Sequence, residues 1–102
     1  RMWHGRVPNH KAAAYREFLT RRAIPDYRAV KGNINVFILE RPEVDATGFV
    51  TLTFWENMDS IREFAGNDPQ AAKYYPEDKD FLLEFEAEVV HYEVVSKAER
   101  KA

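Results

Sequence analysis

At 102 residues the chain is one domain, long enough for a single hydrophobic core and too short for two. With 45% hydrophobic and 31% charged residues it has the make-up of an ordinary globular protein. A formal net charge of −2 and the lack of any Lys/Arg stripe leave no footprint for nucleic acid. The absence of cysteine excludes a disulfide framework and thiolate chemistry, and it fits a reducing cytosol, so a cytoplasmic protein is expected. No apolar run approaches the roughly 20 residues needed to span a bilayer and no signal-peptide pattern is visible, so no membrane partner is expected.

Met2-Trp3-His4 before Gly5 reads as the end of a strand, and a natural start upstream of Arg1 would lengthen it. Pro8-Asn9 marks a turn, with Asn9 as N-cap of a long helix. Ala12, Tyr15, Phe18, Leu19 and Ala23 form its apolar stripe to about residue 23. Pro25 is expected to interrupt this helix and to open a second, short one through Tyr27 and Val30 that ends near Gly32.

Residues 33 to 41 alternate as a strand, with Ile34, Val36 and Ile38 on one side and Asn33, Asn35, Phe37 and Leu39 on the other. Residues 42 to 48 read as a loop, and Phe49 to Trp55 as the antiparallel partner strand. Asn57 is a good N-cap for a helix whose apolar positions are Ile61, Phe64 and Ala65. Gly66 then supplies a left-handed stop. Asp68-Pro69 suggests a further helical turn through Tyr74, closed by Pro76, with another turn over Asp78 to Leu83. Phe85 to Val95 is the last expected strand. The domain spans residues 1–96 and a charged tail residues 97–102.

This order is the split βαβ, or ferredoxin-like, βαββαβ plan: an α+β fold with helices on one face of a four-stranded antiparallel sheet. Ile34, Val36, Ile38, Val50, Leu52 and Phe54 suit the helix-packed face. The opposite face then carries Asn33, Asn35, Phe37, Leu39, Phe49, Thr51, Thr53 and Trp55, too many large apolar groups to leave in water. A second copy packed sheet against sheet would cover it and leave a partly polar pocket, so a homodimer is expected.

The run from Phe54 to Gly66 (FWENMDSIREFAG), continued by Tyr74-Tyr75-Pro76, Phe81-Leu82 and Val90-His91-Tyr92-Glu93-Val94, resembles the antibiotic biosynthesis monooxygenase family. Gly32-Asn33 before the second strand fits as well, so the likeness covers nearly the whole chain. It implies a dimeric α+β barrel. Its relatives include quinol monooxygenases, heme-degrading enzymes and isomerases, among which fold alone does not choose. The heme-degrading branch has an Asn on the first strand, a Trp in the helix after the third strand and a His ligand beyond it. Here those places hold Met2 or Trp3, Phe64 and Tyr74, so heme is not expected, nor any other cofactor or metal.

The resemblance then implies a cofactor-independent monooxygenase acting on a small quinol-like or polyketide-like aromatic. Such chemistry needs a base, a dry aromatic slot and donors for an anion. His91 is the candidate base, since imidazole titrates near pH 6.5. Trp55 and Phe37 are candidates for the slot, and Asn33 with Thr53 for the donors. Asn35 is a further candidate for the catalytic set, because a strand amide needs its hydrogen bonds met by a ligand or a partner chain. Trp3, Thr51 and Tyr74 are expected to line the substrate pocket. Plainer uses exist for each: a structural histidine at the dimer seam, a packing indole, a turn asparagine. The alternative function is a non-catalytic dimeric barrel that binds a small apolar molecule.

Overall fold

The computed structural model describes residues 1–100, so the end of the expected charged tail, residues 101 and 102, lies outside the described residues. Strands β1 (Met2–Pro8), β2 (Asn33–Pro42) and β3 (Ala46–Trp55) form an antiparallel sheet in the order β1-β3-β2, with β3 in the middle. One face is covered by helices α1 (Ala12–Phe18), α2 (Ile24–Arg28) and α3 (Met58–Ala65). Trp3, Val7 and Phe49 of the sheet pack there against Ala12, Tyr15, Leu19, Ala23, Tyr27 and Phe64. The molecule is a plate of 37 × 36 × 22 Å with a radius of gyration of 14.2 Å. That exceeds the roughly 13 Å of a globular chain of about 100 residues, as expected when one sheet face stays uncovered. No helix among the described residues is long and apolar enough to cross a membrane.

The two sheet faces are composed differently from the sequence expectation. Val36 lies opposite Thr53 and Ile38 opposite Thr51, while Phe37 lies opposite Leu52 and Leu39 opposite Val50. Directly opposed residues share a face, so Thr51 and Thr53 go under the helices with Val36 and Ile38. Phe37, Leu39, Val50 and Leu52 occupy the open side. The cause is the loop. Pairing runs on to Pro42 and Thr47, leaving only residues 43–45 between the strands, where a seven-residue loop was expected. A one-residue change of register moves every side chain to the other face. Ile34 is the extra residue of a bulge between Asn33 and Asn35, which detaches Ile34 from the Val36–Ile38 row.

Three other expectations need correction. The helical arm is not broken at Pro25. A π-helical turn, Leu19–Ala23, links α1 to α2, and Pro25 falls in the first turn of α2, where its missing N–H costs little. Asn9 does not cap the first helix; it accepts a hydrogen bond from the Thr47 hydroxyl at 2.8 Å and donates to the Val44 carbonyl at 3.3 Å. Residues 68–74 form a turn and a bridge rather than a helix, with Ala71 opposite Glu88. By contrast Asn57 does cap α3, accepting the Ser60 N–H at 2.9 Å, and Gly66 ends it at φ 97°.

The sheet has three strands where four were expected. Among the described residues the backbone of Phe85 to Val95 pairs with β1 at Val90 alone, bridged to Met2 by two hydrogen bonds of 2.8 and 3.0 Å, while the Glu86 side chain meets His4 Nδ1 at 3.3 Å. Leu83 N–H also reaches the Arg6 carbonyl. Seven residue steps thus separate the two contacts on this segment, against four on β1. The surplus bows away and pairs with residues 70–72 through Ala72 N–H to Ala87 O and Val89 N–H to Gln70 O.

Gly32 sits where a Cβ would collide with the Ser60 side chain of α3. Gly32→Ala is expected to lower unfolding stability by about 1–3 kcal/mol through overpacking, measured by urea titration.

Candidate functional site

The Trp55 end of the sheet opens into a groove of about 1040 Å³, roofed on one side by residues 91–99. The chain brings groups to it from several elements. β3 contributes Thr53 and Trp55 at its C-terminal end, β2 contributes Asn35 and Phe37, and the segment after Val90 contributes His91. All three expected catalytic residues, His91, Asn35 and Trp55, therefore line one groove, together with Phe37 and Thr53. The other expected pocket residues, Trp3, Asn33, Thr51 and Tyr74, do not line it.

Those four are engaged elsewhere. Trp3 is buried, and its indole N–H donates to the Tyr74 hydroxyl at 3.3 Å, while that hydroxyl donates to the Glu86 carbonyl at 2.6 Å. The Asn33 side chain accepts from Arg28 at 2.9 Å and donates weakly to the Phe54 and Asn35 carbonyls, which ties off the bulge. The Thr51 hydroxyl lies 3.2 Å from that of Tyr27 in the core. Asn33 is therefore not brought onto the groove with Thr53.

Within the groove, Trp55 is held in place by its own strand. Its indole N–H donates to Thr53 Oγ1 at 2.8 Å, and that hydroxyl donates to the Arg1 carbonyl at 3.2 Å. Fixing the polar edge of the indole leaves its ring to an edge-on contact with Tyr27, a tilted one with Phe64, and the groove. Phe37 meets Phe54 edge-on at 6.1 Å and is about half exposed, an aromatic surface facing water.

His91 Nε2 is buried and has no hydrogen-bond partner among the described residues. Burial lowers its pKa below the usual imidazole value, and the positive charge of Arg1 pushes the same way, against a smaller opposing contact with the Pro69 carbonyl. A neutral imidazole with a free, desolvated lone pair or N–H is what a proton-transfer site requires. Among the described residues no cluster of three His, Asp or Glu side chains could hold a metal ion.

A second, smaller cavity of about 20 Å³ lies between Tyr27, Thr51, Tyr15, Asp78, Tyr75 and Arg1, with room for one water. Burial raises the Asp78 pKa although it accepts the Tyr75 N–H at 2.7 Å and the Tyr15 hydroxyl at 3.1 Å. Sequence reasoning did not single out Arg1, Tyr27 or Asp78. For Arg1 a signal existed: it shares parity with Trp3, Gly5 and Val7, the buried side of β1. No protein-family model matches this chain, and no curated protein sequence matches it.

Because the folded state disfavours protonated His91, its contribution to stability is present above the unfolded imidazole pKa near 6.5 and is lost as pH falls through the lower folded value. His91→Gln is expected to flatten the fall in urea midpoint between pH 7.5 and pH 5, and the His91 ring resonances should titrate below pH 6.5 by NMR.

Proposed function

We propose that this protein is a cofactor-independent oxygenase of small planar aromatics. His91 takes the proton of a bound phenol or quinol, Trp55 and Phe37 hold the ring, and the electron-rich anion reacts with dioxygen. One oxygen atom enters the ring as a carbonyl and the other leaves as water, the substrate itself supplying the electrons. The observation that carries this reading is His91 Nε2, buried and unpartnered on the same groove as Trp55, Asn35 and Phe37. The resemblance of residues 54–66 to the monooxygenase family adds to it.

A homodimer belongs to the same proposal. A 12.0 kDa chain has an expected surface of about 6,000 Å². This one exposes 7024 Å², an excess close to the roughly 800 Å² that one partner loses in a standard interface. Ile34, Phe37 and Leu39 are each nearly half exposed, and Tyr92, Val94 and Val95 more so. A second copy laid over this face would close the groove, and Phe85–Val95 would gain the partner it needs to complete a four-stranded, ferredoxin-like sheet and a dimeric barrel. Sedimentation is expected to give twice the chain mass, and Leu39→Lys to shift it toward monomer.

The second reading is a binding protein without chemistry. It is favoured by the lack, among the described residues, of any side chain hydrogen-bonded to His91 that would orient it as a base. Oxygen uptake with a panel of aromatic quinols separates the two. An oxygenase gives uptake above autoxidation that falls about 100-fold or more in His91→Ala. Unchanged uptake in the variant would remove His91 from the reaction, and ring binding without uptake would favour the second reading.

A further inference from the structure

Beyond Val90 the chain roofs one side of the groove, yet little holds it there. Among the described residues, 91–99 make no backbone hydrogen bond, and their one ion pair, Lys97 with Glu99 at 2.7 Å, is internal. Every residue from Tyr92 to Glu99 is exposed, Val94 and Val95 included; His91 alone is partly buried. The segment is therefore tied to the body at two adjoining points, the Met2–Val90 bridge and the His91 ring.

The packing favours a neutral ring. Nε2 is buried without a partner, so the contact with the Pro69 carbonyl falls to Nδ1, which donates. A second proton would sit on Nε2 as a buried N–H with no acceptor, and a buried charge without a counter-charge is costly. The charges around the ring add to that cost. From β1 come the Arg1 guanidinium and the Arg1 amino group, both positive. β3 and α3 bring Thr53, Trp55 and Ile61 to the groove, all uncharged. In the loop after α3, Asp68 is exposed and accepts the Gln70 N–H at 3.0 Å. Glu56 and Glu93 line the groove but are exposed, where water screens them.

We propose that residues 91–99 are a proton-operated strap, hinged at the Met2–Val90 bridge, latched over the groove while His91 is neutral and lifted when the imidazole takes up a proton. Near neutral pH the latch is closed. The closed state disfavours the imidazolium, through burial first and the positive charges second, whereas an open strap lets water solvate it. The strap therefore opens as pH falls through a value below the usual 6.5 of imidazole. Opening removes one wall of the groove and leaves the pairing of β1, β2 and β3 intact. The device goes beyond the reaction proposed above and needs only the groove: no substrate enters its test, so oxygen uptake can fail while the strap stands.

The test is backbone-amide NMR relaxation on the whole chain at pH 7.5 and pH 5, with the amides of β3 as the reference for global unfolding. Order parameters of residues 92–96 are expected above about 0.6 at pH 7.5 and below it at pH 5, with β3 unchanged. The change should track the titration of the His91 ring. His91→Gln, neutral at both pH values, should give the strap the same order parameters at both. His91→Lys should lower them already at pH 7.5. Strap amides equally ordered, or equally mobile, at both pH values in the unmodified chain would overturn the proposal. So would a pH response that persists in His91→Gln, a strap still ordered in His91→Lys, or β3 amides that change together with the strap.

Discussion

The pairing register of β2 with β3 governs the rest of the molecule. A three-residue connection puts Thr47 opposite Pro42, and from there Thr51 and Thr53 are carried onto the face the helices cover. Two nearly fully buried hydroxyls then require partners in the core. Tyr27 of α2 meets one, and the Trp55 indole meets the other. The helical arm and the strand end are thereby keyed to the sheet by specific hydrogen bonds as well as by apolar contact, which fixes one relative placement where grease alone would allow several.

The opposite face follows from the same register. Because the Thr row is inside, Phe37, Leu39, Val50 and Leu52 are left outside, and the groove forms where this apolar surface meets the chain after Val90. The groove is therefore framed by a rigid hairpin on one side and by a segment held to β1 at a single bridge on the other. His91 sits next to that bridge. Its position on the groove depends on two backbone hydrogen bonds between Met2 and Val90 more than on any side-chain contact.

Much of the architecture was legible in the sequence. The alternation of residues 33–41 and 49–55 marked the hairpin, and Asn57, Ile61, Phe64 and Gly66 marked α3 with its cap and its stop. What the alternation could not supply was which row of β3 shares a face with which row of β2, since that depends on loop length. Pro42 and Gly48 look like loop residues, yet Pro42 is tolerated on the outer edge of β2 and Gly48 pairs with Arg6 and Arg41. The fourth strand misled for another reason: period-two alternation in residues 85–95 reports β propensity but says nothing of competing partners, and residues 70–72 take up the middle of it. Of the site, the sequence yielded His91, Asn35, Trp55, Phe37 and Thr53. It yielded neither the engagements that withdraw Trp3, Asn33, Thr51 and Tyr74 nor the buried charge of Arg1, because those arise from contacts more than 50 positions apart for Arg1 and Trp3.

The π-helical turn at Leu19–Ala23 has a consequence for how this chain tolerates change in length. A π turn holds one residue more than the α turn it replaces, and here it lets Leu19 and Ala23 both stay buried while the helix runs on to Tyr27. Deleting a residue from that turn would put one α turn in place of one π turn, so Tyr27 would keep its place against Thr51. Winding the same residues as a regular α-helix, without the bulge, would instead carry everything beyond the turn about 100° further around the axis and about 1.5 Å further along it. Tyr27 would then swing away from Thr51, leaving a strand hydroxyl buried without its partner. The bulge thus absorbs one residue of length and keeps the second half of the arm in phase with the hydroxyl row of the sheet.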